Sequence, residues 1–396
     1  MVKTDVAIIG AGPGGSIAAH RLAAAGVRVV LLEQSAFPRD KTCGDAVTAE
    51  GLEALEHTGL EKWITQFPII RQLRFSAPNG KLLDIDVAGL NGRTVGRLIP
   101  RRLMDNQIVQ AAVTAGARLM DGARVREVHY NNNGTALHIK ANTAEIETQM
   151  VILADGSHAP ITRQMGLMSE QFDLIAVRQY LAGDSNPAGQ LEFHFQPEII
   201  PGYTWLFPLG DGHLNIGAGT FAIRTRNKEI DLKAVLERFK SNHPVNPERL
   251  KNTEPIGPIK GHPLRTNVRG TRTHSRRALV VGDAAGLVSP FTGEGIAAAM
   301  HSGELAAQQI FDAFKTGDFS EKALAPYTRR IRQRYAGDQA AGRLLRSTLK
   351  APKLLNHFLD RMQENQALRD LFAHVYLDER SPRLLLQPSN LLRLLG

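Results

Sequence analysis

At 396 residues the chain is longer than one hydrophobic core comfortably organises, so two closely connected lobes are expected. Its 43% hydrophobic and 22% charged residues are those of an ordinary globular protein, no apolar run reaches the ~20 residues that span a bilayer, and a single cysteine, Cys43, excludes internal disulfides. The net charge of +9 is concentrated at one end, where residues 321–396 hold 14 Lys/Arg against 7 Asp/Glu; with aromatic residues at 6% and no nucleic-acid-binding motif, a nucleic-acid partner is not expected.

Residues 5–9 read as a short buried strand that leads at once into Gly10-Ala11-Gly12-Pro13-Gly14-Gly15. An alanine-rich helix over 16–25 and a second strand over 27–32, ending in Glu33, complete the unit. Gly10 permits the tight turn, Gly12 lets the backbone approach a pyrophosphate, and Gly15 lets helix and strand pack closely. The helix N-terminus offers free N–H groups and the positive end of its dipole to phosphate. Glu33 is placed to accept hydrogen bonds from an adenosine ribose. With the first strand starting at the N-terminus there is no room for a signal peptide, and a cytoplasmic location is expected.

Helical material follows around 46–63, then strands over 73–76 and 82–87, a helix over 101–112, and a hairpin of 125–130 with 137–140 turning at 131–134. Residues 150–154 form another buried strand, ending in Asp155-Gly156. Alternation over 177–219 predicts antiparallel sheet, and 230–241 a helix. A last strand over 278–281 delivers Gly282-Asp283, and the turn through Gly293 and Gly295 opens a helix. The remainder is helical, basic at Arg329, Arg330, Arg332 and Arg334 and leucine-rich at its end; this predicts a surface that rests peripherally on anionic lipid.

A mononucleotide needs only the first glycine loop. A chain that sends Gly282-Asp283 back to the same lobe is built for something longer, and FAD is the economical candidate. Asp283 then serves the ribityl or pyrophosphate region, and the helix after Gly295 supports an anionic reduced flavin.

Gly10–Gly15 with Glu33, Arg101 with Asp105, Ala154-Asp155-Gly156 and Gly282-Asp283 together resemble the p-hydroxybenzoate-hydroxylase-like superfamily of flavoproteins. Two further motifs narrow the resemblance to its geranylgeranyl reductase family: Lys41-Thr-Cys43-Gly44-Asp45, and Tyr203-Thr-Trp205-Leu-Phe207-Pro208 followed by Gly217-Ala-Gly219. The resemblance covers roughly residues 1–305. It implies FAD, a prenylated lipid, quinone or pigment precursor as substrate, and saturation of isoprenoid C=C bonds. It also implies that Arg101 lies against the adenosine-diphosphate part of the flavin and that Cys43 sits near the isoalloxazine as a proton donor or guard of flavin geometry. Lys41 is placed to lower the thiol pKa.

Tyr203, Trp205, Phe207 and Pro208 have the spacing of strand core, and the glycines opposite leave room, so an apolar tunnel for an isoprenoid chain is expected between them. No metal site is indicated. The electron donor stays open between NAD(P)H, bound transiently in the absence of a second dinucleotide fingerprint, and a reduced ferredoxin. The alternative function is an FAD-dependent aromatic monooxygenase or halogenase. The fold class read from this order is α/β (α+β): a Rossmann-like FAD-binding lobe (1–70, 95–165, 270–320), an interleaved antiparallel-sheet substrate lobe (71–94, 166–269) and a basic helical C-terminal region (321–396).

Overall fold

The computed structural model describes all residues except 89, 169–171, 222, 223, 226, 227 and 396. Two sheets carry the architecture. The first has eight strands, and its central part is parallel: Ala278–Val280, Glu145–Leu153, Val2–Ile9, Val29–Leu32 and Arg118–Met120 lie side by side in that order. The stretches of these strands nearest the site, residues 6–9, 29–32, 150–153 and 278–280, are apolar and buried on both faces. The hairpin of Val125–Tyr130 and Leu137–Ala141 pairs onto the Glu145–Leu153 strand.

Register places the site. Ile9 is level with Leu32 and with Leu153, and Leu153 with Val280. Four strands therefore end at one edge, and the residues that follow them, Gly10, Glu33, Asp155 and Gly282-Asp283, emerge together there. Ligands of open α/β sheets bind outside such carboxyl ends.

The second sheet has seven strands in the order Glu254–Leu264, Leu174–Ala182, His213–Thr220, Tyr203–Gly210, Gln190–His194, Gln72–Ser76 and Leu82–Asp86. All its pairs are antiparallel except Gln190–His194 with Gln72–Ser76. One face packs under the helix Leu232–Ser241, which Asp231 caps by accepting from the N–H groups of Lys233 and Ala234. The other face turns toward the first sheet.

The C-terminal segment is folded into both halves. The helix Glu321–Thr348 buries Tyr327, Ile331 and Tyr335 in the core of the parallel sheet, and Tyr327 donates to the carbonyl of Val280 at 2.7 Å. The helices Pro352–Glu364 and Gln366–Tyr376 bury Phe358, Phe372 and Tyr376 against Phe75 and Phe193 of the second sheet. Of the terminal leucines read from sequence as a lipid-facing group, Leu385 and Leu394 are core residues, whereas Leu392 is 69% exposed.

Candidate active site

One cavity of about 800 Å³ runs from the glycine loop to the aromatic face of the second sheet. Gly10, Gly12, Gly14, Gly15 and Glu33 line one end. Gly10 has φ +106°, and a Cβ on it would stand 2.2 Å from the carbonyl oxygen of Ala154. Gly12 is the N-cap of the helix Pro13–Ala24, has no side chain to cap it, and meets nothing within 4 Å at its Cβ position. The helix end is thus open to the cavity with its N–H groups free for an anion. Gly14 and Gly15 answer a packing need: a Cβ at Gly14 would stand 2.7 Å from the carbonyl of Ala299, and one at Gly15 2.0 Å from that of Gly10.

An ion-pair chain follows the cavity wall. The Glu33 carboxylate accepts from the N–H groups of Ala11 and Ser35, both at 3.1 Å. Arg39, which sequence reasoning did not single out, lies 3.5 Å from Glu33 and donates to Asp105 at 2.9 Å and to the carbonyl of Ala11 at 3.3 Å. Arg101 grips Asp105 with both ends of its guanidinium, at 2.7 and 2.8 Å. Its charge acts on Cys43 as well, so Arg101 links the nucleotide end of the wall to the cysteine loop.

Asp155 and Gly156 line the cavity, but the Asp155 carboxylate is already engaged by the first turn of the short helix Pro160–Gln164. It accepts from the N–H groups of Ile161 at 2.8 Å and Thr162 at 3.0 Å and from the Thr162 hydroxyl at 2.5 Å. Asp283 lines the same region and accepts from the Ser157 hydroxyl at 3.0 Å, which leaves lone pairs for a hydroxyl-bearing ligand. Gly282, Gly293 and Gly295 complete this wall beside the N-terminus of the helix Ile296–Thr316.

Cys43 sits where the nucleotide end passes into the apolar end. Burial pushes its thiol above the ordinary value; the Arg101 charge opposes this and does not prevail. Lys41 and Cys43 act on each other electrostatically, as their spacing predicts, but burial outweighs every lowering influence on the thiol. Desolvation acts on Lys41 itself and lowers it to about 8.

The cysteine loop is held by Tyr180 and Asn215, two residues that motif reading missed. Asp45, at φ +65°, accepts from the Tyr180 hydroxyl at 2.6 Å, the Asn215 amide at 2.8 Å and the N–H of Arg101 at 3.1 Å. Burial nevertheless raises it to about 6. Asn215 also donates to the carbonyl of Cys43 at 2.7 Å and accepts from the Trp205 indole N–H at 2.9 Å. A lone asparagine inside an apolar strand was the available signal, since a buried amide needs partners.

Strand alternation sorts the aromatic motif. Tyr203, Trp205 and Phe207 face the cavity, where Phe193 and the C-terminal Tyr376 join them; the Phe193–Tyr376 ring centroids lie 4.8 Å apart. Pro208 falls on the opposite parity, and neither it nor Gly217 lines the cavity, which corrects two of the expected substrate contacts. The room at Gly217 is filled by Trp205 itself: a Cβ there would stand 2.1 Å from the indole. Gly219 remains on the lining. The Tyr203 hydroxyl donates to the carbonyl of Thr292 and so ties this wall to the Gly293–Gly295 turn.

On the far side Glu192, His194 and His243 bring one ligand atom each within 4.8 Å of one another, the grouping among the described residues that metal-ligand geometry singles out. His243 Nδ1 accepts from the N–H groups of Val245 and Asn246, which puts its proton on Nε2.

The model of a family described as "FAD binding domain" matches residues 3–338. A menaquinone reductase of Mycobacterium tuberculosis is 31% identical over 322 residues, 78% of this chain and 76% of that protein. Digeranylgeranylglycerophospholipid reductase 2 of Methanopyrus kandleri is 32% identical over 375 residues, 90% of this chain and 87% of that protein. The chain belongs to the geranylgeranyl reductase family of FAD-binding oxidoreductases. A crystal structure of a geranylgeranyl bacteriochlorophyll reductase-like protein from Thermoplasma acidophilum superposes with a TM-score of 0.83 at 25% identity and covers 97% of this chain and 99% of that one. The family's cofactor is FAD, and the side-chain-free helix end at Gly12, the Cβ-excluding turn at Gly10 and the available oxygens of Asp283 fit it.

Proposed function

We propose that this flavoprotein reduces isoprenoid C=C bonds of a prenylated lipid or quinone. The observation that carries the reading is the continuity of the cavity: the slot that suits a dinucleotide opens into a chamber walled by Phe193, Tyr203, Trp205, Phe207 and Tyr376, with Cys43 at the junction. Such a chamber offers an alkyl chain apolar surface. The curated relatives named above carry names of prenyl-lipid and quinone reductases, which supports the same substrate class.

The division of labour we infer follows the two sheets. Residues 1–70, 95–165 and 270–320 hold the cofactor, with Gly10–Gly15, Glu33, Arg101 and Asp283 as the principal contacts. Residues 71–94 and 166–269 hold the chain of the substrate, and 321–396 close the chamber through Tyr376 and Leu377. When bound and reduced, FAD supplies a hydride. The residues of the chain orient the alkene against it, exclude water and keep the Cys43 thiol protonated, as its burial requires. The electron source we infer is NAD(P)H or a ferredoxin-type protein.

Among the described residues no helix is long and apolar enough to cross a membrane. We infer a peripheral contact on the cytoplasmic side. Leu354, Leu391 and Leu392 are exposed on the paired helices Pro352–Glu364 and Pro388–Leu395, joined by His357 to the carbonyl of Leu394 at 2.9 Å, with Lys350, Lys353 and Arg393 exposed beside them. The deciding experiment is product mass after anaerobic incubation of the chemically reduced holoprotein with prenylated quinones and prenylated glycerophospholipids. A gain of two hydrogens per double bond is expected; unaltered lipids across the panel, with oxygen-dependent hydroxylation instead, would sink the reading.

A further inference from the structure

The apolar chamber ends on a helix from the far end of the chain. Gln366–Tyr376 starts at Asn365, whose side chain accepts from the N–H of Leu368 at 3.0 Å, and it presents Phe372 and Tyr376 four residues apart on one face. Both rings are buried against the second sheet.

Tyr376 has a cavity on either side of it. On one side it lines the large cavity, where its ring centroid lies 4.8 Å from that of Phe193. On the other is a second pocket, between the second sheet, the turn at Phe291 and the helices Glu321–Thr348, Pro352–Glu364 and Gln366–Tyr376. There the Tyr376 ring lies 5.5 Å from Phe372 and 6.1 Å from Phe291, neither of which lines the large cavity. Among the described residues Tyr376 alone lines both.

The two volumes decide where a chain must stop. The second pocket measures about 20 Å³, room for roughly one water molecule, against about 800 Å³ on the other side. A five-carbon isoprene unit does not fit there while the ring is in place. The ring is also held: besides Phe193 it meets Phe75 edge-on at 4.9 Å, within a core that packs densely. Leu355, Phe358 and Leu359 give the pocket an apolar far wall, and its charged lining residue, Arg346, is engaged over the Phe221 ring at 4.2 Å.

We propose that Tyr376 sets the length of prenyl chain that the chamber accepts. The parent admits isoprene units until the chain meets this ring; a smaller side chain joins the second pocket to the chamber and admits a further unit. The inference rests on the prenyl-substrate reading of the chamber, but it concerns binding and is tested without turnover.

Prenyl alcohols of increasing length, from geraniol upward, are titrated into the FAD-loaded protein and followed by flavin and tryptophan spectra. Each unit that finds apolar cover should tighten binding by about tenfold or more, until the limit is reached and the constants level off. Tyr376→Leu should move that limit one unit longer, whereas Tyr376→Phe, which keeps the ring, should leave it. Adding Leu359→Phe to Tyr376→Leu fills the second pocket from its far wall and should restore the parent limit. In the parent itself, a diazirine at the far end of the longest accepted chain should label the segment 366–377 on irradiation. An unmoved limit in Tyr376→Leu, an extension that Leu359→Phe does not undo, or labelling confined to segments remote from Tyr376 overturns the proposal, and a parent that binds none of the alcohols sinks it together with the chamber. If the limits move as stated and the reduced holoprotein leaves every double bond intact, Tyr376 keeps its assignment and the reductase reading falls alone.

Discussion

The indole of Trp205 lies across Gly217, its partner in the antiparallel pair, at a distance that a single methyl group would abolish. The glycine is space reserved for the ring. Gly217→Ala should push the indole toward the cavity at a cost of about 1–3 kcal/mol from overpacking. The expected result is a lower melting temperature and weakened turnover of long prenyl chains, with FAD affinity nearly unchanged because the phosphate cradle lies at the other end. An equal loss of FAD affinity would show that Trp205 supports the cavity as a whole.

Asn215 joins Trp205, Asp45 and the Cys43 backbone through three hydrogen bonds of 2.7–2.9 Å. Asn215→Leu leaves buried groups a partner short, each worth about 1–3 kcal/mol. We expect destabilisation of that order and faster alkylation of Cys43 as its loop loosens. An unchanged alkylation rate would mean that Tyr180 and Arg101 hold the loop without the amide.

Cys43 should react slowly with iodoacetamide at neutral pH. Only the thiolate is nucleophilic, and burial raises the thiol pKa, so the rate should climb with pH beyond the range of an ordinary cysteine. A plateau reached below pH 8 would contradict this. Cys43→Ser and Cys43→Ala should retain FAD yet change the rate or extent of prenyl reduction; identical products and rates would leave Cys43 as packing.

Removing the carboxylate of Asp283 strands the Ser157 hydroxyl and takes away acceptors that line the cavity. FAD titration of Asp283→Ala should show affinity weaker by about 1–3 kcal/mol, roughly 5- to 150-fold. Equal affinity in mutant and parent would move the ribityl contact to another residue.

Membrane contact should be reversible and salt-sensitive, at about 1 kcal/mol for each basic residue near an anionic surface. Co-sedimentation should require anionic lipid and fade at high salt. A Leu391→Ser, Leu392→Ser double variant should weaken it without unfolding the protein, since both side chains are exposed. Indifference to anionic vesicles at low salt would reduce the C-terminal helices to a cap on the core.

Much of this protein follows from local chemistry. The glycine loop with Glu33, the buried strand before Gly282-Asp283, and the cysteine and aromatic motifs were legible because each depends on a short stretch of backbone and its own side chains. Period-two alternation even contained the correction for Pro208, which shares parity with Leu206 and not with Trp205. Other features depend on what stands across the gap. That Gly14 must admit Ala299, that Gly217 houses an indole, that Arg39 bridges Glu33 to Asp105, and that the last sixty residues send Tyr376 into the cavity are facts of distant segments meeting. The raised pKa of Cys43 belongs to the same class. An ionisable group takes its charge from burial and neighbours, and only the tertiary structure supplies either.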